Sequence, residues 1–556
     1  MEEGFSYKGK TLLSRVDPAG KADRIADSVP VIDGTLYLCP SPLYGYGLER
    51  LLARLELAPN SAVLCIEGEP ELYDISLKHF SEALKHSPKL RLTNNCEASG
   101  LCALIRKEWG ARIFRRVHVI RLNGGWQFLP GLNALADTLQ REIALDWGNA
   151  MTLAKLGRRY IRNAVRNLAL IPRNPSVAEL SFGAQPVLAL GAGPSLDSAL
   201  DFLTARFGGL LPQVRPFKIV CADTCLPALR RRGIRPDLAV ILESQHWNLD
   251  DFSGLSGWGV PAAFDLSALP GSASVLGSGL FLFFTPWTQL AIFKRLAAAG
   301  LLPASMVPLG SVGLSAVALS LRLTQGVVIT AGIDFSFSMD SSHARSSPCH
   351  LAKLRRQNRF TGLINGEAAF GQSVFSAVSK QGTRVLSNHA MRHYRDLFEK
   401  EFSSCPRLFD LPGSGLPLGV KTLSMEEAFV LLTHSNSIVN DSDNDKKPLS
   451  NVNQLVNKEY EVKMQNFALA EIERLNVLRD ILTGKVPADY GLLATCIDEC
   501  DYLWAHFPDY AASSRRPGKA ELESGGQSAV SFLKRLRVEI DPFLKLWGGA
   551  KIRSEE

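Results

Sequence analysis

The run Leu188-Ala-Leu-Gly-Ala-Gly-Pro-Ser-Leu-Asp197 reads as a short apolar strand that breaks into a glycine turn and opens a helix carrying Ser195 and Asp197 in its first turn. Gly191 and Gly193 permit positive φ and close approach of a ligand, and the N–H groups and dipole of a helix N-terminus attract an anion. The turn, with Pro194 and Ser195, is therefore a candidate phosphate cradle, although Ser195 would equally serve as a plain N-cap. Two more apolar runs end in polar residues, Cys221-Ala-Asp-Thr224 and Ile241-Leu-Glu-Ser244. Asp223 could accept from a ribose hydroxyl or a base and Glu243 could orient a donor, unless each simply caps the helix that follows. Leu309-Gly-Ser-Val-Gly313 sets Ser311 ahead of an apolar helix as a second anion site, suited to a sugar carboxylate. Thr330-Ala-Gly-Ile-Asp-Phe335 closes another strand, and Ser341-Ser-His-Ala-Arg345 lies in the polar loop beyond it. Asp334 and His343 are the acid/base candidates.

These residues need a scaffold that brings strand ends together. From Pro186 the pattern alternates: strand to Gly191, helix Ser195 to Arg206, strand Phe217 to Ala222, helix Leu226 to Arg232, strand Leu238 to Leu242, then helix Ser311 to Leu323 and strand Gly326 to Gly332. Leucine-rich and β-branched strands alternating with helices predict a doubly wound, Rossmann-like α/β domain, in which ligands sit at the carboxyl ends of the strands. The N-terminal third, with strands Thr35 to Cys39 and Ala62 to Glu67 around a helix from Leu48 to Leu57, predicts a smaller α/β domain over 1–150. A basic amphipathic helix, Met151 to Leu170, connects it to a central domain over 151–434. The polar stretch from Ser435 to Asn451 reads as a linker. Apolar residues at helical spacing from Val456 to Leu482, and two more helical stretches ending near Trp547, predict a helical domain over 451–556.

Composition narrows the function. At 556 residues, 46% hydrophobic and 21% charged, the chain is an ordinary globular protein long enough for two or three domains. The first thirty residues lack a secretory pattern, and the apolar stretches Ser274 to Phe293 and Met306 to Phe335 are broken by proline, glycine and charge, so a cytoplasmic protein without a membrane span is expected. Ten cysteines without CxxC pairs match a reduced compartment, with Cys39, Cys65 and Cys221 as core residues. The net charge of +7 and the clusters Arg158, Arg159, Arg162, Arg166 and Arg230 to Arg232, which lack interleaved aromatics, read as solvated helix faces rather than a nucleic-acid surface.

Taken in order, GAGPSLD, VCADTCLPALRRRGIRPDLAVILES, GSVGLSAVALSL and VVITAGIDFSFSMDSSHA resemble the central domain of the motility accessory factor (Maf) proteins. The same order is similar to bacterial sialyltransferases that use CMP-activated sialic acid, and to an archaeal pterin diphosphokinase family that shares the domain. The resemblance runs from about Arg162 to Leu423, and LYLCPSPLYGYGLERLL and AVLCIEGEP resemble the Maf N-terminal domain. It implies a glycosyltransferase that moves a nonulosonic acid from a CMP-linked donor to Ser or Thr of flagellin, for flagellar assembly and motility. Gly191, Gly193, Pro194 and Ser195 would contact the nucleotide, Asp223 and Thr224 would flank it, and Ser311 would face the donor's phosphate or carboxylate. His343 and His389 compete as general base; the sialyltransferase comparison favours His389, ahead of a helix Arg395 to Phe402, and the Maf comparison favours the SHA loop of His343, which is placed first because it lies nine residues from Asp334 in the same loop. The sequence departs from the sialyltransferase pattern in having no tyrosine between Asp334 and Tyr394, where related enzymes place tyrosines near the leaving phosphate.

CMP-sugar is thus expected as donor substrate, flagellin as partner, and no firm cofactor. Metal dependence stays open: Asp441, Asp443 and Asp445 have the spacing of an EF-hand start, but Lys446 and Val452 occupy its glycine and glutamate positions, and the DxD they contain sits in the linker. Two other readings compete. One is a diphosphokinase-like enzyme holding ATP and magnesium, for which no Walker A sequence is present. The other is a non-catalytic flagellin-binding chaperone that keeps the fold.

Overall fold

The computed structural model describes residues 5–110, 112–209, 211–212, 214–362, 370–371, 374–433, 458–487, 489–513 and 516–552. The chain divides into two compact units, Met1–Arg158 with Tyr502–Leu533, and Arg159–Asp501 with Lys534–Glu556.

In the first unit, β1 (Thr35–Pro40), β2 (Ala62–Ile66), β3 (Leu90–Thr93) and β4 (Arg116–Val119) form a parallel sheet in the order β3-β2-β1-β4. Both faces of β1 and β2 are covered. Tyr37, Cys39, Val63 and Cys65 join one apolar cluster, and Leu36, Leu38, Leu64 and Ile66 join the other. The C-terminal segment of this unit contributes an aromatic cluster in which Tyr510 meets Phe532 at 4.7 Å between ring centroids and Trp504 meets Phe532 at 6.1 Å.

The second unit is built on a seven-stranded sheet of parallel strands: β5 (Val187–Leu190), β6 (Lys218–Ala222), β7 (Leu238–Ile241), β8 (Ala262–Asp265), β9 (Leu280–Phe283), β10 (Val328–Ala331) and, after the antiparallel hairpin β11 (Val374–Val378) and β12 (Arg384–Asn388), β13 (Leu408–Asp410). Their order is β9-β8-β7-β6-β5-β10-β13. The runs VLAL, LAVI, AAFD, LFLF and VITA are buried at every residue, as parallel strands covered on both faces must be. Alternation then sorts side chains: Leu188, Leu190, Ile219 and Cys221 pack with Leu196, Leu200 and Leu203 of helix α1 (Leu196–Arg206). Val187, Ala189, Val220 and Val240 face the other way, onto Leu314, Val317 and Leu323 of α2 (Val312–Leu323). Each such side chain contributes on the order of 1.5–3 kcal/mol by leaving water. The chain leaves β5 toward β6 on one side, and β10 returns on the other. That reversal opens a crevice over the carboxyl ends of β5 and β10.

Several expectations are refined. The helix expected from Met151 is the later part of a 36-residue helix, Leu132–Asn167. Helix α4 (His389–Phe402), which follows α3 (Pro348–Arg356), begins at His389 itself rather than beyond it. Of the later segments, Lys458–Asp501 and Lys534–Ile552 group with the second unit and Tyr502–Leu533 with the first. In the second unit, α5 (Lys458–Leu482) buries Tyr460, Met464, Leu475 and Leu478; Tyr460 donates to Leu301 O at 2.9 Å, and the fully buried Glu471 accepts from Arg295 at two nitrogens, each 2.9 Å away. The expected linker, Ser435 to Asn451, lies outside the described residues.

Candidate site at the carboxyl edge of the sheet

The glycine turn after β5 is a crossing point of two chains. Gly191 N donates to Ala331 O at 2.9 Å, Gly193 N to Gly332 O at 2.8 Å and Ser195 N to Asp334 Oδ2 at 2.7 Å. A Cβ on Gly191 would stand 2.5 Å from Gly332 O, and one on Gly193 would stand 2.4 Å from Asp334 Oδ2. Glycine is needed here because β5 and β10 release their turns against each other. Two expectations are therefore corrected. Positive φ occurs at Gly332 (70°), not at Gly191 or Gly193, and the amides of Gly191, Gly193 and Ser195 are already committed within the protein rather than offered to a phosphate.

Ser195 is likewise not a capping residue by its side chain. Its Oγ donates to Asp334 Oδ1 at 2.5 Å, so both Asp334 oxygens are taken by the same residue. Asp334 is 3% exposed, and its carbonyl accepts from Leu416 N at 2.8 Å. It joins the turn, the end of β10 and the loop at 411–416, and the expectation that it orients a histidine gives way to that of a clamp. Behind it Lys380, with a nearly buried side chain, pairs with Asp410 at the end of β13 and donates to Leu411 O at 3.0 Å; Asp410 also accepts from Thr330 Oγ1 at 2.8 Å. Burial pushes the Asp410 carboxyl up, against the pull of Lys380.

The turn's outer side carries the His343 loop. Ala344 N donates to Ala192 O at 2.9 Å and Arg345 N to Asp197 Oδ2 at 2.9 Å. Asp197 also accepts from Arg232 at 2.7 Å, which makes Arg232 part of this lacing rather than a solvated face; its side chain is 16% exposed. His343 Nδ1 lies 3.1 Å from Ser342 Oγ. His389, the first residue of α4, follows its N-cap Asn388 and stacks on Phe375 of the hairpin at 5.6 Å.

Across the sheet edge, Asp223 is almost completely buried, with Oδ1 taken by Thr224 N at 2.9 Å and Oδ2 by Asn248 at 2.7 Å. Asn248 also donates to Asp251 at 2.9 Å. Burial pushes both carboxyls well up; the charge of Asp223 adds to the effect on Asp251. Both oxygens of Asp223 are thus engaged within the protein. Glu243 Oε1 accepts from Gln245 N at 2.8 Å, and Thr224 stays half-buried beside Asp223.

Two half-buried tyrosines, Tyr160 and Tyr394, belong to this part of the second unit. Tyr160, near the end of the long helix, is pushed up to about 12 by burial and by its neighbours Glu243 and Tyr394. Tyr394 of α4 packs 3.0 Å from the position of a Cβ on Gly310, directly before Ser311. Ser311 is the N-cap position of α2, and its own hydroxyl makes no capping bond. Asp223, Glu243, Tyr160, Tyr394 and Ser311 thus follow one another along the edge. Tyr160 was hidden in a helix that reads as a connector, Asn248 and Asp251 sit in a short 3-10 helix (His246–Phe252), Lys380 in a turn, and Asp410 on a strand too short for a pattern. Among the described residues no group of three or more His, Cys, Asp or Glu is placed to hold a metal ion, and Asp441, Asp443 and Asp445 lie outside the described residues. Among the described residues no helix is long and apolar enough to cross a membrane.

Residues 161–340 match the family described as MptE-like, 6-hydroxymethylpterin diphosphokinase MptE-like. The structure of MAf glycosyltransferase from Magnetospirillum magneticum AMB-1 is similar over 99% of this chain and 90% of that chain, with a TM-score of 0.57 and 13% identity. The chain has the Maf fold around an MptE-like domain. An uncharacterized protein of Treponema pallidum (strain Nichols) is 28% identical over 561 residues, covering 98% of this chain and 94% of that one. The Maf fold covers the N-terminal unit and the C-terminal helices as well as the central sheet, whereas the MptE-like match ends soon after Asp334.

Proposed function

We propose that this protein is a glycosyltransferase that moves a nonulosonic acid from a CMP-activated donor to Ser or Thr of flagellin. The observation that carries the reading is the likeness to a Maf glycosyltransferase over 99% of the chain, which includes the hairpin and α4 with His389 and Tyr394 beyond the MptE-like region. In this reading the donor lies along the edge from the glycine turn to Ser311. Ser311 and the first amides of α2 receive the donor's phosphate or carboxylate, since a helix N-terminus favours negative charge. The hydroxyls of Tyr160 and Tyr394, neutral at physiological pH, donate to the leaving phosphate. Thr224 and Glu243 border the nucleotide. His389 removes the proton from the acceptor hydroxyl as it attacks the anomeric carbon; it shares α4 with Tyr394, whereas a ring nitrogen of His343 is engaged by Ser342.

The test incubates the purified chain with CMP-nonulosonate and a flagellin fragment, and follows the flagellin mass together with the thermal shift given by CMP. His389→Ala should lower transfer about a hundredfold to ten-thousandfold while CMP still stabilises the protein. A chain that gains stability from ATP and a pterin but not from CMP, and leaves flagellin unmodified, would instead be a diphosphokinase.

A further inference from the structure

The basic helix that enters the second unit carries Arg162 and Arg166 beside Asn163 and Asn167. The two asparagines are buried, and their amides hold the loops that follow β7 and β8. Asn163 donates to Ser244 O and Ser267 O at 3.1 Å each, and Asn167 donates to Leu266 O at 2.8 Å and Ala268 O at 2.9 Å. With 3.6 residues per turn, Arg162 and Arg166, each one position earlier, lie on the flank of that seal. There they wall a groove of about 570 Å³. Its other wall is the last helix, α6 (Gln527–Ile552), through Lys545 and Leu546, and the residues on both walls belong to the second unit.

Three cations and one carboxylate line this groove. Arg166 and Lys545 are exposed and, among the described residues, have no ion-pair partner, whereas the carboxylate, Asp541, lies 3.9 Å from Arg479 Nη1. Ala169, Pro542 and Leu546 are half-buried and supply an apolar lining. A Cβ on Gly549 would meet nothing within 4 Å, so that end of the groove stays open. The opposite side of α6 is already occupied, since Phe543 and Trp547 are fully buried and Trp547 meets Phe467 of α5 at 5.9 Å between ring centroids. The groove side of α6 is therefore left over from packing. Residues four apart on a helix lie about 6 Å apart along its axis, and Arg162 and Arg166 stand at that interval. Carboxylates four apart on an amphipathic acidic helix repeat at the same interval.

We infer that this groove docks an acidic amphipathic segment of a partner protein, laid in as a helix with carboxylates toward Arg162, Arg166 and Lys545 and apolar side chains against Ala169, Pro542 and Leu546. The excess of cations sets the sign of the partner's charge, and the apolar lining between two helices suits the apolar face of a third. Nucleic acid fits less well, because among the described residues no aromatic side chain lines the groove for a base to stack on, and Asp541 opposes a phosphate. A bilayer surface does not enter a concave site. The docked segment lies beside the carboxyl edge of the sheet, because the helix that carries Arg162 and Arg166 also seals the loops after β7 and β8 through Asn163 and Asn167. The inference concerns binding alone and does not rest on the sugar-transfer reading.

The experiment titrates the full chain into a fluorescein-labelled peptide of about four helical turns, with glutamates four apart and leucines on the adjoining face, and reads fluorescence anisotropy. Binding should saturate and weaken as salt rises. Arg166→Glu and Lys545→Glu should each lower affinity about tenfold, while Arg166→Lys keeps most of it. Both side chains are exposed, so melting temperatures should match the parent's. Lys400→Glu, the same charge change on α4, should leave affinity within about twofold, and a peptide with serine in place of leucine should bind about tenfold more weakly. A parent chain that does not bind the peptide overturns the proposal, as does an Arg166→Glu, Lys545→Glu double variant that binds like the parent. Equal loss in Lys400→Glu would reduce the effect to net charge, and equal binding of the serine peptide would remove the groove's part in it; either result overturns the proposal. A labelled oligothymidylate that binds more tightly than the peptide, and loses affinity in the same two variants, would make the groove a nucleic-acid site instead.

Discussion

Removing the Asp334 carboxylate separates a clamp from a catalytic partner. The side chain is 3% exposed and accepts from Ser195 N at 2.7 Å and Ser195 Oγ at 2.5 Å. Hydrogen bonds to a charged acceptor contribute about 1.5–3 kcal/mol each, against about 0.5–1.5 kcal/mol for neutral pairs. Asp334→Ala leaves both Ser195 donors buried without an acceptor, a loss of about 3–6 kcal/mol. Asp334→Asn keeps one acceptor oxygen for the Ser195 amide, and the hydroxyl can rotate to accept from the new NH2, so the loss falls to about 2 kcal/mol. In calorimetry of the full chain, the alanine variant should unfold on the order of 5–10 °C lower and the asparagine variant about 2–4 °C lower. An Asp334→Ala protein that melts within about 1 °C of the parent, yet has lost sugar transfer, would refute the clamp and restore the carboxylate as an orienting group for a histidine.

Gly332→Ala should be more disruptive than Gly193→Ala, because Gly332 combines φ 70° with a Cβ position in direct collision with Gly191 O; comparing soluble yield and melting temperature checks the order. The Asp223–Asp251 pair has carboxyls raised above their unfolded values, so its contribution is full below about pH 4 and is lost as pH rises through the raised range. Asp251→Asn should therefore flatten the fall of stability with pH and raise the melting temperature at pH 8 relative to the parent; an unchanged pH dependence would count against a shared proton. Glu471→Ala removes the buried carboxylate that accepts from both Arg295 and Arg474 and should cost about 3–5 kcal/mol, read as a lower melting temperature of the second unit, while Glu471→Asp should recover part of it. His343→Ala and His389→Ala, assayed side by side, should differ in transfer rate with comparable melting temperatures; equal rates at the parental level would remove both as base.

The sequence by itself determined four of the seven strands of the second unit's sheet, Val187–Leu190, Lys218–Ala222, Leu238–Ile241 and Val328–Ala331, but not Ala262–Asp265, Leu280–Phe283 and Leu408–Asp410. VLAL and LAVI are apolar at every position and VITA at all but Thr330, and a strand of that kind is stable only when covered on both faces, so a doubly wound sheet with its carboxyl edge at Gly191 and Asp334 followed from residue type and spacing. The same local rules made glycine, serine and a helix start look like a phosphate cradle. Only the tertiary structure decided otherwise, because the partners of Gly191, Gly193 and Ser195 are residues 331–334, well over a hundred positions away, and a hydrogen-bond donor's availability depends on what has folded against it. Lys380 meets Asp410 and Tyr160 meets Trp287 for the same reason. Periodicity fixes which way a side chain faces along its own element, but which neighbours a polar atom acquires is set by loop closure and packing between elements, and those leave no repeating signature in the chain.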